Sequence, residues 1–73
     1  MIVRLSAKFS LMDQRAESSY GRPVLVNQKT GEAYGPGDII KTVKGFEPAA
    51  RVVERLTAKK KFTDEQIEFI KRF

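Results

Sequence analysis

Because the sequence contains no histidine and no cysteine, most familiar catalytic and metal-binding arrangements lack a component, and clustered carboxylates remain as candidates. A Ser-His-Asp triad, a cysteine nucleophile with its base and a typical zinc site each lack a component. Asp64, Glu65 and Glu68 are close enough in sequence to hold a magnesium ion. The same acids would also stabilise the positive end of a helix, and this second interpretation is favoured. We expect a non-enzymatic protein without a cofactor or metal.

A second stretch that could do chemistry is residues 35–42, GPGDIIKT, which have the spacing of a phosphate-binding loop. Ile40 stands where that motif requires its second glycine, at a position where the backbone must approach a phosphate closely. The segment is therefore interpreted as a turn followed by a short helix.

The strongest functional pattern is basic and lies in the second half of the chain. Residues 1–40 carry five basic and four acidic side chains, whereas residues 41–73 carry nine basic and five acidic ones. Arg51, Arg55 and Lys59 recur at every fourth position, which places them on one face of a helix. Such a face is typical of a surface that binds phosphates or an acidic protein. Because Glu54 interrupts it, an ordinary solvated helix face is the alternative.

Phenylalanines raise a second possibility near the C-terminal end of the sequence. Phe69 and Phe73 are four residues apart and adjoin Lys71 and Arg72. An exposed phenylalanine there would suit a protein-binding hot spot or a platform for base stacking. The alternative is that a thin core needs every phenylalanine inside. The candidate partner-binding residues are Arg51, Arg55, Lys59, Lys60, Lys61, Phe69, Lys71, Arg72 and Phe73.

The first half of the chain must position this surface, and its patterns indicate strands. Residues 2–9 alternate between apolar and polar side chains, which predicts a strand that could present an open edge to a partner. Residues 10–20 are interpreted as a loop or a short helix, in which Ser10 could cap a helix that runs through Ala16 and is ended by Gly21. Residues 23–34 predict a hairpin whose turn, residues 28–31, contains a glycine.

The second half of the chain predicts helices. Asp38 can cap a short helix over residues 39–44 that Gly45 ends, with a strand over residues 39–43 as the alternative. Pro48 opens a longer helix with an apolar stripe that extends to Lys59 or Lys60. Two of the residues in the stretch FTDEQI form a capping box for a final helix, Thr63 with Gln66. Together the last two helices predict a helical hairpin with a tight turn over residues 61–63.

These elements predict an α+β fold, with a small antiparallel sheet of two or three strands and two or three helices. At 73 residues the chain is expected to form a single domain over residues 1–73 with a thin core. No apolar run approaches the roughly 20 residues that span a bilayer, and no signal peptide is recognised, so a cytoplasmic location without membrane association is expected.

Two resemblances add to this reading. Residues 56–73, LTAKKKFTDEQIEFIKRF, are similar to the helical hairpin of the SHOCT type, although Lys61 replaces the glycine of that family's turn. Such hairpins associate with other protein segments. In length, basicity and lack of histidine and cysteine, the whole chain resembles small regulators of lytic phages that bind host RNA polymerase, of the kind found in a Xanthomonas phage. That resemblance implies action in the host cytoplasm, inhibition of transcription initiation by competition with sigma factor, and antitermination.

Three hypotheses follow in order of preference. The first is a regulatory protein that binds a large protein partner, with RNA polymerase favoured. The second is direct nucleic-acid binding by the basic residues of the C-terminal half. The third is a structural or assembly protein.

Overall fold

Strands and helices both occur in the computed structural model, which describes residues 1–13 and 23–73. In chain order the elements are β1 (Ile2–Arg4), β2 (Phe9–Asp13), β3 (Pro23–Asn27), β4 (Ala33–Tyr34), β5 (Ile39–Thr42), β6 (Gly45–Pro48), α1 (Ala49–Thr57) and α2 (Asp64–Lys71). One antiparallel sheet has four strands in the order β1-β2-β3-β4, and a second consists of β5 and β6. The α+β class is confirmed, but the larger sheet exceeds the predicted two or three strands.

The start of the chain forms a hairpin, so the single strand predicted over residues 2–9 is wrong. Ser6 Oγ accepts hydrogen bonds from the amides of Lys8 and Phe9, at 3.2 and 3.1 Å, where the chain reverses between β1 and β2. A serine hydroxyl that binds amides just ahead of it favours a turn over an extended strand. The apolar side chains expected inside are still buried, except Ala7, which is exposed in the turn.

Ser10 lies within β2, opposite Arg4 on β1 and Val26 on β3, and does not cap a helix. The rest of the predicted loop or short helix falls largely on residues 14–22, which lie outside the described part of the chain.

The four-stranded sheet carries a buried row of apolar side chains across its strands. Val3, Leu11 and Leu25 are neighbours on successive strands, and Tyr34 continues the row on β4. The first three are at most 1% exposed. Since side chains of a strand alternate between its two faces, Ile2 lies on the opposite side and is exposed.

The predicted hairpin over residues 23–34 is confirmed as β3 and β4. Its turn needs a glycine, because Gly31 has a φ of 79°, a conformation that side chains disfavour. Buried Asn27 holds the turn through its Oδ1, which accepts hydrogen bonds from the amides of Lys29 and Thr30 at 2.9 and 3.3 Å.

The helix predicted over residues 39–44 is wrong, and the strand alternative is correct. Asp38 Oδ2 accepts a hydrogen bond from the amide of Gly35, at 2.8 Å, and so closes the preceding turn instead of capping a helix. The following residues are rich in β-branched side chains, which favour a strand. Gly45 lies at the start of β6 with a φ of 101°.

Both C-terminal helices are present where the sequence predicts them. Pro48 is the extended residue that precedes α1, which ends at Thr57, short of the predicted Lys59 or Lys60. Thr63 and Gln66 form the predicted capping box at the start of α2. The predicted helical hairpin itself is not confirmed: residues 58–63 separate the helices, and α1 packs mainly against β6.

The core lies between the four-stranded sheet, the β5–β6 hairpin and the two helices. The buried row of the sheet is joined by Ile40 from β5, by Val52 and Val53 from α1 and by Phe69 from α2. Partly buried side chains pack around this cluster, and they are Tyr34, Leu56, Phe62, Ile70 and Phe73.

Candidate interface for a macromolecular partner

The basic residues predicted to bind a partner divide into two groups. Arg51, Lys59 and Lys61 are exposed, and neither of the two ion pairs formed within residues 1–13 and 23–73 includes them. Arg55 and Lys60 have intramolecular partners instead. The two groups therefore differ in what they can offer to a ligand.

Arg55 belongs to a small polar network that joins α1 to the β5–β6 hairpin. Its guanidinium donates to Glu47 Oε1, and the Thr42 hydroxyl donates to Glu47 Oε2. The Glu47 side chain is only 10% exposed. The hydrogen bond from Thr42, followed by that from Arg55, lowers the pKa of Glu47 below its usual 4.5. This network keeps the carboxylate ionised and occupies the arginine.

Lys60 holds the segment between the helices against the first sheet. Its ammonium donates to the carbonyl oxygen of Leu5, which directly follows β1. This contact satisfies a backbone acceptor with a charged donor, a strong type of hydrogen bond. Lys60 is therefore exposed at the surface and also stabilises the fold.

The end of the chain forms a shallow depression beside α2 that combines basic and apolar side chains. Its volume is about 310 Å³, and its lining residues are Thr57, Lys60, Phe62, Ile67, Ile70 and Lys71. Ile67 is 38% exposed there. Two of the predicted partner-binding residues, Lys60 and Lys71, are thus brought together with an apolar floor.

The predicted aromatic anchors lie largely inside. Phe69 is 4% exposed and belongs to the core, and Phe73 packs against that core while half-buried. The alternative interpretation, in which a thin core needs its phenylalanines inside, therefore applies to Phe69. Arg72 lies over the Phe69 ring, 5.9 Å from its centroid, and its backbone amide ends α2 by donating to the carbonyls of Phe69 and Ile70.

Large exposed apolar side chains occur on the β5–β6 hairpin, where sequence reasoning did not place them. Ile39 is 59% exposed, Phe46 is 75% exposed and Val43 is fully exposed at the turn. The strand alternative for residues 39–43 would have found two of them, because alternation puts Ile39 and Val43 on the face opposite Ile40. The helix interpretation does not predict this alternation of exposed and buried side chains.

The sequence leaves open whether the first strand lies at the edge of its sheet or in the centre. β1 is the terminal strand of the four-stranded sheet. The amide of Leu5 donates to Phe9 and the carbonyl of Met1 accepts from Asp13, so the odd-numbered residues of β1 face β2. The backbone groups of Ile2 and Arg4 consequently point away from β2, towards the side where no further strand of the described residues pairs with β1.

The two patterns considered for phosphate and metal chemistry do not form such sites. Residues 35–42 fold into a turn and β5, so the helix that a phosphate-binding loop requires does not follow. Asp64 and Glu65 occupy the first turn of α2. Within the described ranges, no three acidic residues come together in an arrangement that could hold a metal ion.

Neither α1 nor α2 is long and apolar enough to cross a membrane, and the described residues contain no other α-helix. Comparison with protein-family models, with curated proteins and with solved structures finds no match to this chain.

Proposed function

We propose that this protein is a non-enzymatic regulator that binds an acidic surface of a large protein partner. The observation that carries the proposal is a set of exposed cations in the second half of the chain that form no ion pair with the described residues. Lys41, Lys44, Arg51, Lys59 and Lys61 are all exposed, and no ion pair within residues 1–13 and 23–73 includes them. Cations in this state attract an acidic partner and speed its encounter.

A protein partner suits this surface better than the backbone of a nucleic acid. A phosphate track needs a continuous series of available cations. On α1 that series is broken, because Arg55 is bound to Glu47, while Glu54 lines the same depression as Arg51. The exposed apolar side chains of the β5–β6 hairpin add contact area of the kind that protein interfaces bury.

The partner that we propose is host RNA polymerase, which the resemblance to small regulators of lytic phages implies. On this proposal the protein inhibits transcription initiation and acts in antitermination. Direct nucleic-acid binding is the second candidate, and the exposure of Arg51, Lys59 and Lys61 supports it. The two candidates differ in the ligand that binds and in how steeply binding falls with added salt.

The test is a binding assay with purified bacterial RNA polymerase. The double variant Lys59→Glu, Lys61→Glu should weaken binding by about tenfold, because each reversal replaces an attraction by a repulsion. Lys29→Glu is the matched control, since Lys29 is an exposed lysine in the turn between β3 and β4. Absence of polymerase binding by the unmodified protein would overturn the proposal.

A parallel titration with a short DNA duplex and with single-stranded RNA separates the second candidate. Nucleic-acid binding should fall steeply with added salt, because phosphate contacts release counterions. Retention of duplex or RNA at low salt, together with no affinity for polymerase, would favour the second candidate over the first.

A further inference from the structure

β1 is the terminal strand of the four-stranded sheet, and its backbone groups point alternately to β2 and away from it. The amide of Leu5 donates to the carbonyl of Phe9, at 3.0 Å, so Leu5 and Val3 use their backbone groups on β2. The amides and carbonyls of Ile2 and Arg4 point the other way. Among the described residues, no strand pairs with that side of β1.

The open part of this edge ends at Ser6, which uses its backbone groups within the chain. Its amide donates to the carbonyl of Phe9 at 3.1 Å, and its carbonyl accepts from Arg4 Nε at 3.4 Å. Ile2, which is 64% exposed, and the exposed Arg4 therefore carry the two donors and two acceptors that remain. An extended segment pairs with all four groups, because its own amides and carbonyls have the same spacing.

We propose that this segment is β1 of a second copy of the chain, which pairs antiparallel so that Val3 of one copy lies opposite Val3 of the other. In this register Ile2 of each copy lies opposite Arg4 of the other, and each such pair exchanges two hydrogen bonds. The two four-stranded sheets then form one antiparallel sheet of eight strands. This self-association goes beyond the proposed function and does not depend on it.

The open backbone groups select this register over its neighbours. A symmetric register centred on Arg4 would pair Ile2 with Ser6, whose backbone groups are already used, and would place two arginines opposite each other. A register centred on Ile2 would leave the backbone groups of Arg4 without a partner in the second copy. The register centred on Val3 pairs all four open groups of each copy.

The side chains of β1 also suit pairing with a second copy. On the exposed face, Ile2 lies between Met12 of its own β2 and Arg4 of the second copy, whose methylene groups can cover it. On the buried face, the row of Val3 and Leu11 continues into Val3 of the second copy. Pairs of β-branched side chains across strands stabilise a sheet, and no like charges lie directly opposite each other here.

Other occupants match this edge less completely. An in-register parallel pairing of two copies would bring their Arg4 side chains together, which is unfavourable. An acidic strand of another protein would meet a single cation, because the depression beside the edge is lined by Ile2, Arg4, Ala7, Ser10, Met12 and Gln28. The nearby carboxylate of Asp13 is bound by the Met1 ammonium. A nucleic acid or a membrane has no row of alternating amides and carbonyls to pair with β1.

The experiment measures amide hydrogen exchange by NMR as the protein is concentrated. So small an interface should have a dissociation constant on the order of 1 mM, and samples from about 0.05 to about 5 mM bracket that value. We expect the amides of Ile2 and Arg4 to become protected as the concentration rises. The amides of Val3 and Leu5, which face β2, should be protected at every concentration.

A mixture of isotope-labelled and unlabelled protein tests the register directly. Across antiparallel strands, the alpha protons of a pair without hydrogen bonds lie close together, and in the proposed dimer Val3 forms such a pair with its counterpart. An isotope-filtered NOE between the alpha protons of Val3 in the two copies is therefore expected in the concentrated sample.

Ile2→Pro removes the outward amide and leaves the hydrogen bonds between β1 and β2 in place, since an edge strand tolerates a proline whose nitrogen faces outward. Dimerisation should weaken at least about tenfold, because two of the four hydrogen bonds between the copies are lost. Ile2→Val is the matched control. It keeps the amide and a β-branched side chain, so it should dimerise within about twofold of the unmodified protein. The NMR spectrum of each variant reports whether the fold is retained.

Three results with the unmodified protein would each overturn the inference. They are a monomer across the whole concentration range, protection of Ile2 and Arg4 that does not change with concentration, and a dimer whose NOEs connect other residues. A folded Ile2→Pro variant that dimerises as well as Ile2→Val would overturn it too. If Ile2→Pro does not fold, the exchange and NOE measurements decide alone.

Discussion

Glu47 lies on the buried side of the β5–β6 hairpin, where Thr42 and Arg55 both donate to its carboxylate. Arg55, which the sequence analysis assigns to partner binding, therefore forms an ion pair within the molecule. Pairing of this kind depends on the fold, because Arg55 is eight residues from Glu47 and lies on a different element. Helical spacing predicts which residues share one face of a helix, but it does not predict which other residues they bind.

Glu47→Gln should reduce stability at neutral pH, and the difference from the unmodified protein should shrink in acid. The folded protein lowers the pKa of Glu47 below 4.5, so the ionised form stabilises the fold above that pH. As the pH falls through the lowered pKa, Glu47 becomes protonated in both the folded and unfolded states and its contribution is lost. Urea unfolding at a series of pH values measures this change.

Glu54→Gln is the control for that series, because Glu54 is exposed on α1, the helix that carries Arg55, and its side chain forms no hydrogen bond. Its difference from the unmodified protein should vary much less with pH. If Glu47→Gln and Glu54→Gln showed the same pH profile, the network around Glu47 would not contribute to stability.

Lys60→Met should destabilise the protein by about 1 kcal/mol, because it removes a charged hydrogen bond to the Leu5 carbonyl. Lys59→Met and Lys61→Met are matched controls, since these neighbours are exposed and unpaired. Each control should stay within about 0.5 kcal/mol of the unmodified protein. Thermal unfolding of the three variants tests the ranking, and equal stabilities would contradict a structural role for Lys60.

At the level of elements, the β5–β6 hairpin depends on one residue with an unusual backbone. Gly45 has a φ of 101°, and an added Cβ would meet no atom within 4 Å. Any cost of Gly45→Ala therefore comes from the backbone, and about 1 kcal/mol is expected. Gly37→Ala is the matched control, because its surroundings are equally open and its φ is not positive, so it should be nearly neutral. Chemical denaturation compares the two, and equal costs would contradict the backbone explanation.

The elements also show which sequence patterns predict the local structure correctly. The capping box of Thr63 and Gln66 and the turn at Gly31 depend on residues a few positions apart, and both formed as predicted. The strand at residues 39–42 was assigned to a helix because Asp38 has the chemistry of a cap. Its carboxylate instead accepts from Gly35, on the side of the chain that precedes it. Asp38 could cap a helix that follows it or accept a hydrogen bond from Gly35, and the sequence alone does not show which interaction is more favourable.

Like the secondary structure, the candidate interface could be predicted from the sequence only in part. Exposure of Arg51 follows from helical spacing and charge, whereas Lys59 and Lys61 lie beyond the end of α1 and their exposure follows from charge alone. The exposed position of Phe46 required the correct element, since a phenylalanine beside a predicted helix end is normally assigned to the core. The exposed apolar face of the β5–β6 hairpin can therefore be located only when the strand register is known.

For the whole molecule, the two phenylalanines of opposite exposure offer a direct test of the packing. Phe69→Ala should cost about 4 kcal/mol, because it leaves a cavity where α2 meets the core. A loss of that size is a large part of the stability of a domain of this length. Phe46→Ala should change stability by less than about 0.5 kcal/mol, since Phe46 is 75% exposed. Circular dichroism during thermal unfolding compares them, and similar losses would show that the assignment of inside and outside is wrong.

The hydrogen bond between Lys60 and Leu5 joins positions that are 55 residues apart in the chain. The strands of each sheet, by contrast, pair with neighbours in the sequence. Contacts between distant positions form later than local ones, because the intervening chain must first lose its freedom. We therefore expect the segment after α1 to reach the first hairpin later in folding than the strands of either sheet pair with each other. On that order of events, a newly made chain would present its complete surface only after this closure.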